Sequence, residues 1–318
     1  MLKGFQAALI KGIGNALAAR RLCIVNYHRV LASPDPLLES EPDVATFRWQ
    51  MALLSQCFNV LALPEALARL ADGTLPPRAV CITFDDGYRS VHDLALPILK
   101  EFGLPATVFV TSGYVGAGDM WNDRIIAAVQ ALPDGELDLS ELGLGAYSLA
   151  SLGDRKATVG RLTEASKYLP PGARGDLIAR LDQLMGQADS EGLMLTPEMV
   201  RTLAREGMTI GAHTISHPIL TSLDDASSHL EIAGGKRQLE DIVGRPVTLF
   251  AYPNGKVGKD FDERHVRMAR EAGFEAAFTT EVGAIGRAHD RYQLPRSRPW
   301  DGTPFMFAMR LLRWLARA

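Results

Sequence analysis

Short apolar runs that alternate with helical segments constrain the fold of this chain more than any other feature. Six such runs predict buried strands, at 22–27, 79–84, 106–110, 208–212, 247–251 and 275–279, with a further candidate at 58–62. Helical periodicity lies between them, at 45–57, from Pro64 onward, through 94–102, and at 197–206, 224–243 and 260–272. Strands joined by helices through short connections are typical of a parallel sheet wrapped by helices, which is the α/β class.

Ionisable residues stand directly after two of these runs. The run 79–84 ends in two adjacent carboxylates, Asp85 and Asp86, and the run 208–212 is followed by His213 and His217, four residues apart. Neighbouring carboxylates raise each other's pKa unless a cation neutralises them, so the pair indicates a metal. One carboxylate and two imidazoles form a ligand set that catalytic zinc and related divalent metals use. We expect Asp86, His213 and His217 to bind one metal ion, with Asp85 beside it as a base.

The same strand-end position recurs elsewhere in the chain. His28 follows the run 22–27, and a turn at Asn254 follows the run 247–251. In a closed parallel barrel these ends converge on one face, where barrel active sites are assembled. Each pattern has an alternative, since the paired aspartates also suit a turn or helix cap, the two histidines a surface helical pair, and His28 a strand-end histidine with its hydrogen bonds satisfied. Their conjunction at strand ends favours a site.

Two segments resemble, in the expected order, the first two motifs of the polysaccharide deacetylases, also called NodB-homology carbohydrate esterases: Thr83-Phe84-Asp85-Asp86-Gly87 and His213-Thr214-Ile215-Ser216-His217. The resemblance implies a distorted (β/α)7 TIM-like barrel with Asp85 as the general base. It also implies one divalent metal ion on Asp86, His213 and His217, with Zn²⁺ favoured and Co²⁺, Ni²⁺ or Mn²⁺ as alternatives.

The third family motif departs from its usual form here, with an alanine at the arginine position and Asn254 at the tyrosine position. Asn254 still has a backbone N–H that could serve an oxyanion. Arg296 is similar to an arginine that some members supply from a later strand to orient the base, and Arg298 is the alternative. Tyr27-His28 resembles a pair in the permuted poly-N-acetylglucosamine deacetylase-like members, which makes a charged His28 the candidate general acid.

The regular alternation of strands and helices is interrupted between about 120 and 195. We interpret this region as a helical insertion without strands. Insertions after a sheet strand often wall a substrate groove. Trp121 and Asp123 are candidates to line such a groove, as is Tyr252 from the third motif. Core packing for Trp121 and helix capping for Asp123 are the alternatives.

We divide the chain into an amphipathic N-terminal helix (1–21), a barrel domain (22–303) and a basic C-terminal helix (304–318). The N-terminal helix is expected from Phe5, Leu9, Ile13 and Leu17. The C-terminal helix carries Arg310, Arg313 and Arg317 opposite Phe305, Leu312 and Leu315, with Trp314 nearby. Two interpretations stay open for it: contact with an anionic membrane surface, or a closing helix packed on the barrel.

The charge distribution bears on the partners. The first 21 residues carry +4 and the last fourteen carry +3 without any acid, so the rest of a chain with net charge −3 carries −10. An acidic body argues against a nucleic-acid substrate. Lys11, Gly12 and Gly14 interrupt the apolar stretch that a signal peptide needs, so we expect a cytoplasmic protein rather than a secreted one. Within the cytoplasm, peripheral contact with the inner membrane surface is the alternative to a freely diffusing protein. The oligomeric state stays open.

These patterns together predict a metal-dependent hydrolase that removes acetyl groups from an N-acetylated or O-acetylated saccharide, which could be polymeric, oligomeric or lipid-linked. Two alternatives remain at this point: hydrolysis of a related amide or ureide in a small substrate, and an inactive glycan-binding module.

Overall fold

The computed structural model describes residues 8, 10–12, 20–186, 192–298 and 301–316. One eight-stranded sheet forms the body of the protein. Its strands are β1 (Leu22–Tyr27), β2 (Asn59–Val60), β3 (Ala79–Phe84), β4 (Thr107–Val110), β7 (Thr209–Ala212), β8 (Leu249–Ala251), β9 (Ala276–Phe278) and β10 (Ala284–Ile285), while β5 (Glu136–Asp138) and β6 (Ala146–Ser148) pair separately.

The sheet is parallel around most of its circumference. Its order is β10-β1-β3-β4-β7-β8-β9, with β2 beside the start of β3, and only the edge strand β10 runs antiparallel. The extended segment 294–297 bridges the two ends of the curled sheet. The Leu294 N–H donates to Ala277 O of β9 (3.0 Å), and the Ser297 N–H donates to Ile24 O of β1 (2.9 Å). With β1, β3, β4, β7, β8 and β9, this segment makes seven parallel elements around the barrel, so the predicted distorted (β/α)7 TIM-like barrel is confirmed.

Helices cover the outside of the sheet. They are α1 (Val44–Cys57), α2 (Leu63–Asp72), α3 (Leu96–Phe102), α7 (Pro197–Arg205), α8 (Asp225–His229), α9 (Gly235–Val243), α10 (Glu263–Glu271) and α11 (Pro304–Ala316). Two π-helical turns, Val91–Ala95 before α3 and Leu230–Gly234 between α8 and α9, interrupt segments that the sequence predicts as regular helix. One extra residue in a single turn changes the spacing of apolar residues too little to be recognised, so the sequence pattern does not predict π-helical turns.

The insertion after β4 forms its own small core. It contains α4 (Trp121–Ala131), the hairpin β5–β6, α5 (Leu152–Lys167) and α6 (Pro171–Met185), which pack around Ile125, Leu162, Leu177 and Leu181. The helical insertion is therefore present, but the expectation that it holds no strand is wrong. Each hairpin strand has three residues with only the central one buried, so no apolar run marks it.

The C-terminal helix packs on the barrel. Phe307, Leu311 and Leu312 are buried, and the Phe307 ring meets Trp49 of α1 edge-on at 5.6 Å. Its apolar face is thus occupied by protein, in agreement with the closing-helix interpretation, although Phe305 is exposed. Arg317 and the N-terminal residues 5, 9, 13 and 17 lie outside the described residues, whereas residues 8 and 10–12 are helical. Among the helices that are described, none combines the length and hydropathy needed to cross a bilayer.

Candidate active site

The loops that follow β1, β3, β7 and β8 meet at one end of the barrel and enclose a cavity of about 490 Å³. The sequence-predicted residues that line this cavity are His28, Asp85, Asp86, Trp121, His213, His217, Asn254 and Arg296. The residues that follow predicted strand ends, from His28 to Asn254, thus lie in one cavity although they are up to 226 positions apart in the chain.

The loops around the cavity are unusual in backbone conformation. Positive φ angles occur at Asp86 (74°), Thr214 (64°), His217 (57°) and Asn254 (57°), and only one other non-glycine residue in the described segments has one. Left-handed backbone at such residues costs of order 1–3 kcal/mol each and clusters at functional sites. His213 and His217 consequently lie on a loop, and the surface helical pair considered above is wrong.

Asp86, His213 and His217 form a compact group of potential metal ligands. Asp86 Oδ1 lies 3.5 Å from His213 Nε2 and 3.4 Å from His217 Nε2. The three ligand atoms lie within 4.8 Å of one another. Among the described residues, no hydrogen-bond donor reaches the buried Asp86 Oδ1. A buried acceptor without a donor and two imidazole nitrogens directed at it fit a divalent cation.

The protein fixes the protonation of this group. His213 Nδ1 lies 2.7 Å from Ala251 O, so this nitrogen carries a proton and Nε2 is the nitrogen directed at Asp86. Burial lowers the pKa of His213, but the charges of Asp85 and Asp86 raise it above its ordinary value. Burial lowers the pKa of His217 to about 4, which leaves its ring neutral, the form that binds a metal. Burial alone would raise the pKa of Asp86, but the imidazoles of His213 and His217 beside it hold that pKa far below its usual value.

Asp85 is held by a buried arginine. Arg296 Nη1 and Nη2 donate to Asp85 Oδ1 and Oδ2 at 2.6 and 2.8 Å, and both residues are only 2% exposed. Burial raises the pKa of Asp85, but the Arg296 charge, aided by His213, brings it below its ordinary value. Arg298 pairs instead with Glu41 (2.7 Å), which decides between the two arginines that the sequence left open.

Asn26 is a site residue that the sequence analysis missed. Its Nδ2 donates to Asp85 Oδ2 (2.9 Å), while its Oδ1 accepts from Thr83 Oγ1 (2.9 Å) and from Arg296 Nη1 (3.2 Å). The amide therefore links β1, β3 and the closing segment beneath the carboxylate. The available signal was a polar residue inside the buried run LCIVNY, where an unsatisfied amide would be costly.

His28 lies on the cavity wall with Nδ1 buried, and this atom has no hydrogen-bond partner within the described segments. Burial, reinforced by the charge of Arg298, lowers the pKa of His28, although Asp86, Glu41 and Asp85 act in the opposite direction. A lowered pKa favours the neutral form of the His28 imidazole at neutral pH.

Asn254 occupies the turn after β8. Its carbonyl accepts from Thr280 Oγ1 (2.5 Å), its φ angle is positive, and the residue lines the cavity. Within the described part of the chain the Asn254 N–H has no acceptor. A donor without a partner at the cavity wall is suited to a transient oxyanion.

Of the three groove candidates, only Trp121 lines the cavity. Asp123 is buried and forms an ion pair with Arg29, and it accepts from Tyr88 Oη (2.9 Å), which directs it away from the cavity. Tyr252 is fully buried, stacked on Phe261 at 3.7 Å. Asp123 and Tyr252 are thus corrected to residues of the protein interior.

Comparison with known proteins agrees with this arrangement. The sequence profile described as polysaccharide deacetylase matches residues 72–277, which span both motifs and all the strands from β3 to β8. The chain belongs to the polysaccharide deacetylase family. Members of this family are carbohydrate esterases that hydrolyse acetylated sugars with the help of a metal, so the inactive-module alternative is set aside.

Two curated relatives illustrate the range of the family. YxkH of Bacillus subtilis, which is named as a polysaccharide deacetylase, is 22% identical over 283 residues, covering 89% of this chain and 72% of its own length. The poly-β-1,6-N-acetyl-D-glucosamine N-deacetylase of Staphylococcus epidermidis is 29% identical over 120 residues, covering 33% of this chain and 41% of its own length. The chain therefore matches less than half of the staphylococcal enzyme.

Solved structures share the fold over nearly the whole chain. The Streptococcus pyogenes deacetylase PplD, determined in complex with acetate, superposes with a TM-score of 0.61 at 19% identity over 93% of this chain and 98% of its own. IcaB from Ammonifex degensii superposes with a TM-score of 0.60 at 20% identity over 93% of this chain and 97% of its own. At these sequence identities, the similarity to the solved structures shows a shared fold and nothing further.

Proposed function

We propose that this protein removes the acetyl group from an N-acetylated saccharide by metal-dependent hydrolysis. The observation that carries the proposal is the presence, in one cavity, of an Asp/His/His ligand group and of a second carboxylate, Asp85, held ionised by a buried arginine. Amide hydrolysis needs both, because water must be deprotonated while negative charge on the carbonyl oxygen is stabilised.

Asp86, His213 and His217 would hold the ion. When bound, a divalent metal supplies Lewis-acid polarisation of the acetyl carbonyl and lowers the pKa of water. We propose Zn²⁺, because two imidazoles and one carboxylate are a set that zinc favours, and Co²⁺, Ni²⁺ and Mn²⁺ are the ions to compare with it.

Asp85 is the proposed base. Its carboxylate is ionised at neutral pH and fixed at both oxygens by Arg296, with Asn26 as a further donor. A carboxylate in one fixed orientation can accept a proton from water without first reorganising, which lowers the entropic part of the barrier. The arginine therefore acts by positioning Asp85 and keeping it charged.

Asn254 and His28 complete the proposed reaction. The Asn254 N–H would donate to the oxyanion that forms when water adds to the acetyl carbon. His28 is the proposed donor to the leaving nitrogen. Because the pKa of His28 is lowered, the proton it delivers must be one that the reaction itself releases from water and that reaches His28 through Asp85. Cleavage of the C–N bond then yields acetate and the amine of the sugar.

We propose a saccharide containing N-acetylglucosamine as the substrate, with support from the staphylococcal relative named for poly-β-1,6-N-acetyl-D-glucosamine. We also propose a cytoplasmic location, because Lys11, Gly12 and Gly14 interrupt the apolar stretch that a signal peptide needs, with peripheral contact at the inner membrane surface as the proposal that the charged termini suggest.

Acetate release tests this proposal. The purified protein is assayed with N-acetylated oligosaccharides, O-acetylated xylan and small amides or ureides, before and after chelation and after return of each metal. We expect acetate from the N-acetylated oligosaccharides, loss of activity on chelation and recovery with Zn²⁺. Turnover confined to small amides or ureides would contradict the proposal.

A further inference from the structure

We propose that the C-terminal helix α11 is a wall of the substrate cleft, and that Trp314 is a platform on which a saccharide chain crosses from the active-site cavity into a second subsite. The inference rests on the proposed function and extends it, because it specifies an oligomeric substrate at least two sugar units long.

The C-terminal helix contributes directly to the catalytic cavity. Arg310 and Trp314, one helical turn apart on α11, line it together with the insertion residues Trp121, Thr163 and Lys167. The barrel thus carries the reacting groups, while the insertion and the C-terminal helix supply the side walls. Two indoles from distant parts of the chain border the same cavity.

A second cavity of about 380 Å³ adjoins the first. Val282 and Trp314 line both cavities, so the boundary between them is formed by these two side chains. Beyond it the second cavity is lined by polar side chains from the loop after β9 and β10, including Glu281, His289 and Gln293. Each cavity falls within the range of roughly 300–1,000 Å³ that is typical of small-ligand sites, so together they exceed the needs of one sugar.

The chemistry of the boundary suits a sugar ring. Trp314 is 8% exposed, so its indole is fixed by packing and offers only a limited surface to the cavities, whereas the neighbouring Val282 is 69% exposed. Pyranose rings have apolar C–H faces that pack on indole, and their hydroxyl groups require donors and acceptors at the ring edge. The polar side chains of Glu281 and Gln293 provide such partners on the far side of the boundary.

Arg310 has a fixed position at the cavity wall. Its Nη2 donates to Asp301 Oδ1 at 2.8 Å, and Asp301 stands three residues before α11 begins. This ion pair joins α11 to the segment that precedes it. The helix that bears Trp314 is therefore fixed both near its N-terminus and along its buried apolar face. A rigid wall is what a platform requires.

The test compares kinetics on short and long substrates. Acetate release is measured with monomeric N-acetylglucosamine and with its hexasaccharide for the wild type, Trp314→Leu and Trp314→Phe. We expect the wild type to prefer the hexasaccharide in kcat/KM, Trp314→Leu to lose about tenfold more on the hexasaccharide than on the monosaccharide, and Trp314→Phe to recover part of that loss, because only a ring restores the platform.

The matched control is Trp49→Leu, which disturbs α11 from its barrel side through Phe307 and lies outside the cavity lining. It should lower kcat/KM equally for both substrates. An equal loss on both substrates with Trp314→Leu, or a wild type without chain-length preference, would overturn the inference and leave the proposed function intact. Absence of acetate from every saccharide would overturn both.

Discussion

Replacing Arg296 by methionine should damage stability and activity together. The substitution keeps an unbranched side chain that matches the apolar stem of arginine, but it removes the only cation paired with Asp85 among the described residues. Asp85 is 2% exposed, so its charge would remain in the interior without compensation.

The magnitude follows from that burial. Breaking a buried ion pair by removing one partner costs roughly 3–5 kcal/mol of unfolding free energy. Because Asp85 borders the cavity, water can reach the carboxylate after the guanidinium is gone, and we expect a cost of about 3 kcal/mol, near the lower end of that range. The base would also lose its fixed orientation, and a small misplacement of a reacting group can lower the rate by about 10²-fold.

Urea unfolding of the metal-free protein measures the stability change, and acetate release with saturating metal measures the activity change. The double variant Asp85→Asn/Arg296→Met should recover about 2 kcal/mol relative to Arg296→Met alone, because a neutral amide needs no counter-charge. Arg298→Met is the matched control, since Arg298 borders the same cavity but pairs with the more exposed Glu41.

A loss below about 1 kcal/mol in Arg296→Met, with activity within twofold of the wild type, would refute the view that this ion pair positions the base.

Three further predictions follow from other parts of the site. His217→Ala should abolish stoichiometric metal binding measured by elemental analysis, and retention of one ion per chain would exclude His217 as a ligand. Gly87→Ala should lower the unfolding free energy by about 2 kcal/mol in thermal denaturation, since Gly87 has φ of 90° and a Cβ would stand 2.9 Å from Val110 Cγ1, whereas an unchanged Tm would contradict this packing. Tyr252→Phe should lower the unfolding free energy by about 1 kcal/mol, because it removes the hydrogen bond to Tyr292 O, and it should leave kcat/KM unchanged. A selective rise in KM would contradict this and indicate that Tyr252 contacts the substrate.

The barrel and its central residues could be predicted from the sequence because each rests on a local pattern. A buried parallel strand is a continuous apolar run, and its end is marked where the first charged residue appears, as at Asp85 and His213. The convergence of those ends is a property of the barrel, so no knowledge of individual contacts was needed to place them in one site.

The remaining features depend on contacts that no local pattern encodes. Arg296 and Arg298 are two residues apart on an extended segment, and the sequence could not distinguish them, because their partners lie more than 200 positions away. Tyr252 resembled a groove residue because it belongs to a motif, yet its ring packs on Phe261. The sequence places Trp314 in an amphipathic helix, and only the folded chain brings it to the cavity.

The most direct test of the central claim measures metal content and acetate release on the same samples of wild type and Asp85→Asn. If Asp86, His213 and His217 hold the ion and Asp85 is the base, both proteins will bind one divalent ion per chain, and only the wild type will release acetate from N-acetylated oligosaccharides. Undiminished acetate release by Asp85→Asn, or by wild type from which the metal has been removed, would contradict the account.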